Sequence, residues 1–196
     1  MCIITGCIRS TPTELLPILS GISPPNLRRE ASCINLALKA LDDPNHLLHD
    51  AICYRNTTIL SLENRHPHSN TMRRLMKEAN NDNGTNWANK KWQDAWNNNN
   101  HRLKQFIDKV SNKPAGNDLP RQAWVKLNRL RTGHGHFRAT LHKRGLTDDP
   151  ICECGDGKVQ TADHILYSCP RFRCPNNFTD LDDASRDWLR HLTVTI

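Results

Sequence analysis

Three cysteines and one histidine near the C-terminus constrain the fold of this chain more than any other feature of its sequence. Cys152 and Cys154 are separated by one residue, His164 follows after nine more, and Cys169 completes the group. Thiolate and imidazole groups at short spacings are the ligands that Zn²⁺ takes in small metal-stabilised folds. Because four protein ligands leave no open position for a catalytic water, the group predicts one structural Zn²⁺ ion.

The other cysteines leave one alternative for the ligand set. Cys174 lies five residues after Cys169 and could replace one thiolate, since a single residue between two cysteine ligands is tighter than usual. The simpler interpretation is a set of unrelated buried cysteines beside a surface histidine. The first residues do not resemble a signal peptide, so a reducing compartment, nuclear or cytoplasmic, is expected. In such a compartment clustered cysteines favour a metal over disulfides. Four more cysteines lie in helical patterns and are predicted to be small buried side chains: Cys2, Cys7, Cys33 and Cys53.

The residues that follow Cys152 indicate how the first half of the group is formed. In an extended strand Cys152 and Cys154 point to the same side, so both thiolates can reach one ion. Gly155 and Gly157 then allow the backbone to turn close to that ion.

His164 and Cys169 can reach the same ion only if the helix that carries His164 does not continue through Cys169. Residues 161–167 have the pattern of a short helix that carries His164. A continuous α-helix would place Cys169 about 140° away from His164 around the axis. We therefore expect the helix to end before Pro170, with Asp163 or the backbone orienting the imidazole.

Residues 120–145, immediately before the cysteine group, form a purely basic segment. They contain seven Lys and Arg residues and no Asp or Glu, while the whole chain carries a formal net charge of +7. Pro120 and Gly133 bound one predicted helix, and a second short helix follows the turn at residues 133–135. Concentrated positive charge attracts polyanions, so we predict sequence-nonspecific phosphate contacts with RNA or DNA from Arg121, Lys126, Arg129, Arg131, His134, His136, Arg138, Lys143 and Arg144.

A solvated helix face is the alternative interpretation of the basic segment. On a helical wheel Ala123, Trp124, Leu127 and Leu130 share one arc, and several of the charges fall on the other. Trp124 is therefore predicted to lie in the core rather than to stack on a base. The absence of acidic residues over 26 positions favours binding over simple solvation.

Outside the cysteine group the chain shows helical periods and no strong strand pattern, so the predicted fold class is mainly α. The segment from Thr11 to Glu14 resembles a capped helix start, and Gly21 a helix end. Residues 55–70 look irregular. Further helices are predicted from residue 24 to about 41, up to about residue 54, over 70–80 and over 85–110. Mean hydropathy is −0.68, which predicts a modest core.

These patterns divide the chain into five predicted segments. They are a loose helical region over 1–112, a linker over 113–119, the basic segment over 120–145, a zinc-knuckle-like motif over 146–175 (the knuckle), and a short C-terminal helix within 176–196. No apolar run is long enough to span a membrane, and the first residues lack the features of a signal peptide. We expect no small-molecule substrate, because nucleophile-elbow, phosphate-loop and Cys-x-x-Cys motifs are missing from the sequence.

Motifs from both ends of the chain occur together and in a fixed order. They are residues 4–13, 16–25 and 27–29, then 119–124 and 127–135, and finally Cys-Glu-Cys-Gly at 152–155 with residues 160–161, 164–166 and 169–170. In this order they resemble the C-terminal region of the reverse transcriptase of a non-LTR (LINE-type, jockey-like) retrotransposon. The first three are similar to the segment after the polymerase palm, and the last four match that family's terminal knuckle.

The resemblance implies a parent polymerase that copies its own RNA into a nicked chromosome, with thumb- or connection-like helices over 1–112. Polymerisation by two metal ions requires paired carboxylates, which in this family follow an aromatic residue. The Asp-Asp pairs at 42–43, 148–149 and 182–183 lack that aromatic residue two positions earlier, so we expect them at helix ends and caps.

We therefore predict a non-catalytic fragment of a truncated element, whose reading frame starts at an internal methionine and whose product binds RNA or DNA. Two alternatives stay open at this point. One is a zinc-stapled structural or protein-interaction module, in which the basic segment meets an acidic protein. The other is a translated relic without a selected function.

Overall fold

The mainly helical fold class is confirmed in the computed structural model of the protein, which describes residues 2–53, 67–80, 82–110, 113–175, 178 and 181–193. Across these ranges the only β-type pairing is an isolated antiparallel bridge between Ile151 and Val159. The chain forms two compact units, Ser23–Trp96 and the combination of Met1–Ile22 with Asn97–Ile196. No helix in the described ranges combines the length and the apolar character that crossing a membrane requires.

The described part of the chain contains nine α-helices and two helical turns of other types. The turns are a 3₁₀ turn at Arg102–Gln105 and a π-helical turn at His164–Ser168. The α-helices are α1 (Cys2–Thr5), α2 (Leu15–Ser20), α3 (Pro25–Asp42), α4 (His49–Cys53), α5 (Pro67–Ala79), α6 (Gly84–Asn97), α7 (Arg121–Thr132), α8 (Arg138–Lys143) and α9 (Asp183–His191). The irregular segment predicted over 55–70 lies mostly outside the described residues.

Proline and glycine set several helix ends where they were predicted. Pro25 occupies the first turn of α3, where a missing N–H removes no helical bond. Gly21 and Gly133 end α2 and α7 in the left-handed conformation, with φ of 66° and 71°. The cap predicted at Thr11 is wrong. A separate turn precedes α2, which begins only at Leu15 and has no side-chain cap.

The single helix predicted over 85–110 is broken at the asparagine run. α6 ends at Asn97, and His101 is extended, with φ of −85° and ψ of 150°. Asn99 Oδ1 accepts the backbone N–H of His101 at 2.9 Å, and His101 Nδ1 accepts that of Leu103 at 3.2 Å. Such local bonds from side chains compete with the helical ladder, so the apolar period continues here without an α-helix.

The unit Ser23–Trp96 depends on a close approach between α3 and the start of α6. A Cβ atom at Gly84 would lie 2.1 Å from the carbonyl oxygen of Ala31, so only glycine fits at this position. Asn35 Oδ1 accepts the backbone N–H of Gly84 at 2.8 Å and so satisfies one free donor at the helix start. The core of this unit consists of Ala31, Ile34, Leu75, Ala79, Trp87 and Ala88.

α7 is the central helix of the unit Met1–Ile22 with Asn97–Ile196. It packs against α1, α9 and the 3₁₀ turn, and its Leu127 and Leu130 are fully buried. Trp124 is also buried, as predicted. Phe178 makes edge-to-face contacts with two rings of this unit, and Asp182 caps α9 by accepting the backbone N–H of Ser185 at 2.9 Å.

Candidate metal centre and basic segment

An irregular hairpin, closed by the isolated bridge described above, carries the first two predicted ligands. Gly155 and Gly157 adopt left-handed conformations, with φ of 87° and 71°, and make the tight turn predicted for them. The turn begins two residues earlier than expected, at Glu153, so Cys154 lies within the turn and not in an extended strand. The Cys152 and Cys154 thiols nevertheless lie within 4.8 Å of each other.

A π-helical turn brings the other two ligands to the same side. The backbone N–H of Cys169 donates to the carbonyl oxygen of His164 at 2.7 Å, a bond that spans five residues where an α-helix spans four. The wider turn has more residues per revolution, which reduces the separation of about 140° that an α-helix would impose. Cys169 itself is extended, with φ of −71° and ψ of 121°, so the expected end before Pro170 is confirmed.

The four predicted metal ligands converge. Their ligand atoms all lie within 4.8 Å of one another. Cys152 Sγ is 3.9 Å from Cys169 Sγ, and Cys154 Sγ is 3.4 Å from His164 Nε2. A Zn²⁺ ion with bonds of about 2.3 Å to sulfur and about 2.0 Å to nitrogen would hold its ligands roughly 3.5–3.8 Å apart in a tetrahedron. The side chains therefore have the dimensions of a single four-coordinate site, and the group can hold a metal ion.

The surroundings of the Cys154 thiol oppose its ionisation unless a cation is present. Cys152 and Cys169 are buried, with 3% and 0% of their surface exposed. Burial raises the pKa of the Cys154 thiol to about 12. A divalent cation would supply the positive charge that stabilises the thiolate forms in this position, and its binding would release their protons.

The imidazole of His164 is held by Ser168. His164 Nδ1 lies 3.2 Å from Ser168 Oγ, and the Ser168 hydroxyl donates to the carbonyl oxygen of His164 at 3.4 Å. With the Ser168 hydroxyl donating to the carbonyl oxygen, its oxygen is free to accept from an Nδ1–H, the tautomer in which the Nε2 lone pair can bind a metal. Asp163, which we expected to orient the ring, forms an ion pair with Arg102 instead. Ser168 was missed because the helix predicted to carry His164 ended at residue 167, whereas the observed turn extends to Ser168.

Hydrogen-bond donors also surround the sulfur atoms. Cys169 Sγ accepts the backbone N–H of Phe172 at 3.3 Å, and the amide group of Gln160 lies 4.0 Å from Cys152 Sγ. Donors directed at sulfur stabilise a thiolate and tune its affinity for metal. Gln160 is itself buried, with 2% of its surface exposed, which marks it as part of the site.

The remaining cysteines do not join this group. Cys174 Sγ is 3.4 Å from Ser185 Oγ, outside the four-residue cluster, so the alternative ligand set is not adopted. All eight cysteines lie in the described ranges as free thiols. Cys7 is buried as expected, whereas Cys53 is exposed and the prediction of burial is wrong there.

Several side chains of the basic segment donate hydrogen bonds to carbonyl oxygens of the same unit. Four side chains of α7 donate to carbonyl oxygens at the end of α1, where helical partners are missing. They are Arg121 to Ile3 and Ile4, Trp124 to Ile4 at 3.2 Å, Asn128 to Thr5 at 2.9 Å and Arg129 to Gly6 at 3.1 Å. Lys126 Nζ similarly donates to the carbonyl oxygen of Leu192 at 2.6 Å. These cations therefore stabilise the fold.

Arg131 is completely buried, with 0% of its surface exposed. Its Nη1 donates to the carbonyl oxygen of Ala115 at 2.9 Å, and among the described residues neither Nε nor Nη2 has an acceptor. Burial lowers the pKa of this guanidinium to about 10. A side chain in this position cannot contact a phosphate at the surface, so Arg131 leaves the predicted set of nucleic-acid contacts.

Arg138 joins α8 to the knuckle. Its Nη1 pairs with Glu153 Oε1 at 2.8 Å, and its Nε donates to the carbonyl oxygen of Asp149 at 3.2 Å. The charge of this guanidinium is therefore largely neutralised by residues of the knuckle.

The other predicted contacts lie near the surface. Lys143 and Arg144 are exposed at the end of α8, and Arg144 Nη2 donates to Ser10 Oγ at 2.9 Å. His134 and His136 are half-buried, and burial lowers the pKa of both, which favours their neutral forms at physiological pH. The exposed positive charge of the segment thus lies at Arg121, at the start of α7, and at residues 143–144.

Relatives of the chain are found among retrotransposon proteins. It is 35% identical over 98 residues to the "Retrovirus-related Pol polyprotein from type-1 retrotransposable element R1" of Popillia japonica, a match that covers 46% of this chain and 36% of that protein. It is 32% identical over 97 residues to the "Putative 115 kDa protein in type-1 retrotransposable element R1DM" of Drosophila melanogaster, covering 46% and 9%. A third relative, an R1 Pol polyprotein of Nasonia vitripennis, is 35% identical over 79 residues, covering 40% and 18%.

The matched region spans about a third of the Popillia protein and much less of the other two. No protein-family model and no solved structure matches the chain. The resemblance predicted from the motifs is nevertheless confirmed: over nearly half of its length, the chain is homologous to the Pol polyproteins of R1 non-LTR retrotransposons.

Proposed function

We propose that this chain is a non-catalytic, nucleic-acid-binding part of a retrotransposon polyprotein, in which one structural Zn²⁺ ion orders the surface that contacts RNA or DNA. The observation that carries the proposal is the link between the metal ligands and α8. Gln160 lies beside Cys152 Sγ, and its side-chain oxygen accepts the backbone N–H of Arg138 at 2.9 Å. A metal bound at Cys152 would therefore hold the helix that ends in the exposed cations Lys143 and Arg144.

Zinc is the metal that this ligand set favours. Three thiolates and one imidazole in a tetrahedral arrangement suit Zn²⁺, whereas magnesium and calcium prefer oxygen ligands. With all four positions supplied by the protein, the ion would have a structural role. Removing it should unfold the knuckle and release α8.

The positions of the Asp-Asp pairs support a non-catalytic role. Asp42 is the last residue of α3, and Asp182 caps α9. Asp149 Oδ1 accepts the backbone N–H of Ile151 at 2.8 Å, at the entrance to the knuckle. Each pair thus has a local structural task, and two-metal polymerisation requires carboxylates that converge on one site.

Nucleic-acid binding is tested by titrating labelled RNA and DNA at increasing salt concentrations. We expect binding that weakens steeply with salt, because phosphate contacts release counterions. Lys143→Glu/Arg144→Glu should weaken binding about tenfold or more and reduce the salt slope by about two. The matched control is Arg28→Glu/Arg29→Glu, which makes the same charge change at exposed positions of α3.

Two results would contradict the proposal. One is the absence of binding at low salt, or binding that salt does not affect. The other is an equal loss of affinity in the α8 variant and in the α3 control, since a general charge effect would then explain both.

A protein-interaction module is the second candidate function. Leu146, Ile151 and Val159 of the knuckle are exposed apolar side chains, with 69%, 40% and 44% of their surfaces accessible. On this reading the knuckle contacts another protein, and the α8 variant binds RNA and DNA as the unaltered chain does. The same titration therefore separates the two candidates.

A further inference from the structure

We infer that the unit of Met1–Ile22 with Asn97–Ile196 binds unpaired nucleotides, one of which enters a small cleft between α8 and the knuckle. This inference rests on the proposed function and specifies the form of nucleic acid. The cleft has a volume of about 130 Å³. Its principal lining residues are His136, Arg138, Leu141, Glu153, Arg171 and Phe172.

The distribution of cations disfavours a duplex. A protein that follows the backbone of a double helix needs a row of accessible cations at the spacing of its phosphates. On α7, Arg121, Lys126 and Arg129 donate to carbonyl oxygens of their own unit, and Arg131 is buried. Of the four cations on α7, only Arg121 is exposed, so this helix does not offer a row of accessible cations to a duplex.

The size and the walls of the cleft fit a single base. Its volume is well below the roughly 300–1,000 Å³ of pockets for drug-sized ligands, which limits it to about one planar ring system. Leu141 and the buried Phe172 supply apolar atoms to its walls. The exposed guanidinium of Arg171 lies over the Phe172 ring, 5.0 Å from its centroid. Bases of unpaired strands stack on guanidinium planes, so the plane of Arg171 is the surface on which a base would stack.

The charges around the cleft give the nucleotide an orientation. Glu153 pairs with Arg138, so the guanidinium inside the cleft is already neutralised. A carboxylate repels a phosphate but can accept a hydrogen bond from an amino group on a base. Arg171, which is exposed at the rim, retains its charge for a phosphate outside. The base would therefore lie inside the cleft and its phosphate at Arg171.

Single-strand binding is tested with a labelled strand of about 12 nucleotides, a length that one small single-strand-binding fold can cover. The strand is titrated alone and annealed to its complement, at equal salt. We expect the single strand to bind at least about tenfold more tightly than the duplex, and Arg171→Glu to weaken single-strand binding about tenfold. Arg173→Glu is the matched control, because Arg173 is exposed two residues away and does not line the cleft.

Arg171→Gln, which removes the charge without reversing it, and the unfolding midpoint of each variant separate lost contacts from lost structure. Equal or tighter binding of the duplex, or equal losses in Arg171→Glu and Arg173→Glu, would overturn the inference and leave the proposed function standing. If neither the single strand nor the duplex binds, the proposed function itself fails.

Discussion

The side chain of Gln160 in the knuckle caps the first turn of α8 through the backbone N–H of Arg138, which it accepts at 2.9 Å. The backbone oxygen of Gln160 also accepts the N–H of Ala139 at 3.2 Å. Two donors that a helix start leaves without partners are thus satisfied by a residue next to the metal ligands. The knuckle and the end of the basic segment therefore form one structural element.

Replacing Gln160 with alanine should destabilise this element. The variant loses the cap on α8 and leaves the partly buried backbone N–H of Arg138 without this acceptor, so we expect the free energy of unfolding to fall by about 1–3 kcal/mol. Urea unfolding of the zinc-loaded chain measures the change. Gln122→Ala, at an exposed position on α7, is the control. Equal stability of the two variants would show that the cap contributes nothing.

Ser168→Ala should weaken metal binding without removing a ligand. Ser168 Oγ lies 3.2 Å from His164 Nδ1, and loss of such a partner to a ligating histidine typically reduces metal affinity about tenfold or more. Competition with a coloured chelator gives the dissociation constant. Ser32→Ala, at an exposed position on α3, should leave it unchanged. If the two variants bind zinc equally, His164 is oriented by another group.

Zinc affinity should fall as the solution is acidified. The pKa of the Cys154 thiol is raised to about 12, so without metal this thiol is protonated at neutral pH and Zn²⁺ must displace its proton. Each displaced proton makes binding about tenfold weaker for every pH unit of decrease. Chelator competition at about pH 8 and about pH 6 measures this slope, and Cys174→Ser should not change it. An affinity independent of pH would contradict ligation by thiolates.

Arg131→Met tests whether Arg131 contacts nucleic acid or is only a buried side chain of the fold. Arg131 has no exposed surface and, among the described residues, a single hydrogen-bond acceptor, so its replacement should leave nucleic-acid affinity within about twofold. The free energy of unfolding should stay level or rise by about 1 kcal/mol, since N–H groups without acceptors are no longer buried. Binding titrations and urea unfolding provide the two readings. A tenfold loss of affinity at unchanged stability would place Arg131 at the surface after all.

Local features of the sequence predicted the elements that depend on neighbouring residues. Gly21 and Gly133 end their helices because few other residues adopt a left-handed conformation at low cost. The metal ligands were also predictable, since few residue types bind Zn²⁺ and their spacing along the chain is short. These inferences required no knowledge of distant contacts.

The features that the sequence did not predict depend on contacts that helical periodicity does not show. Arg121 resembles a solvated cation on a helical wheel, but it donates to the carbonyl oxygen of Ile4, which is 117 positions away in the sequence. Arg131 is buried for a similar reason, because its surroundings come from other segments. The break after Asn97 arose from bonds between Asn99 and His101 that compete with a helix whose apolar period continues. The spacing of apolar residues along the sequence does not reveal such competing hydrogen bonds.

The metal content of the purified chain tests the central claim most directly. We predict one zinc ion per chain, lost in Cys154→Ser/His164→Ala and retained in Cys174→Ser, because Cys174 lies outside the ligand group. Loss of the ion should also reduce binding of RNA and DNA, since α8 is held by the knuckle. A folded chain without zinc, or equal zinc loss in Cys174→Ser, would contradict the assignment of the four ligands.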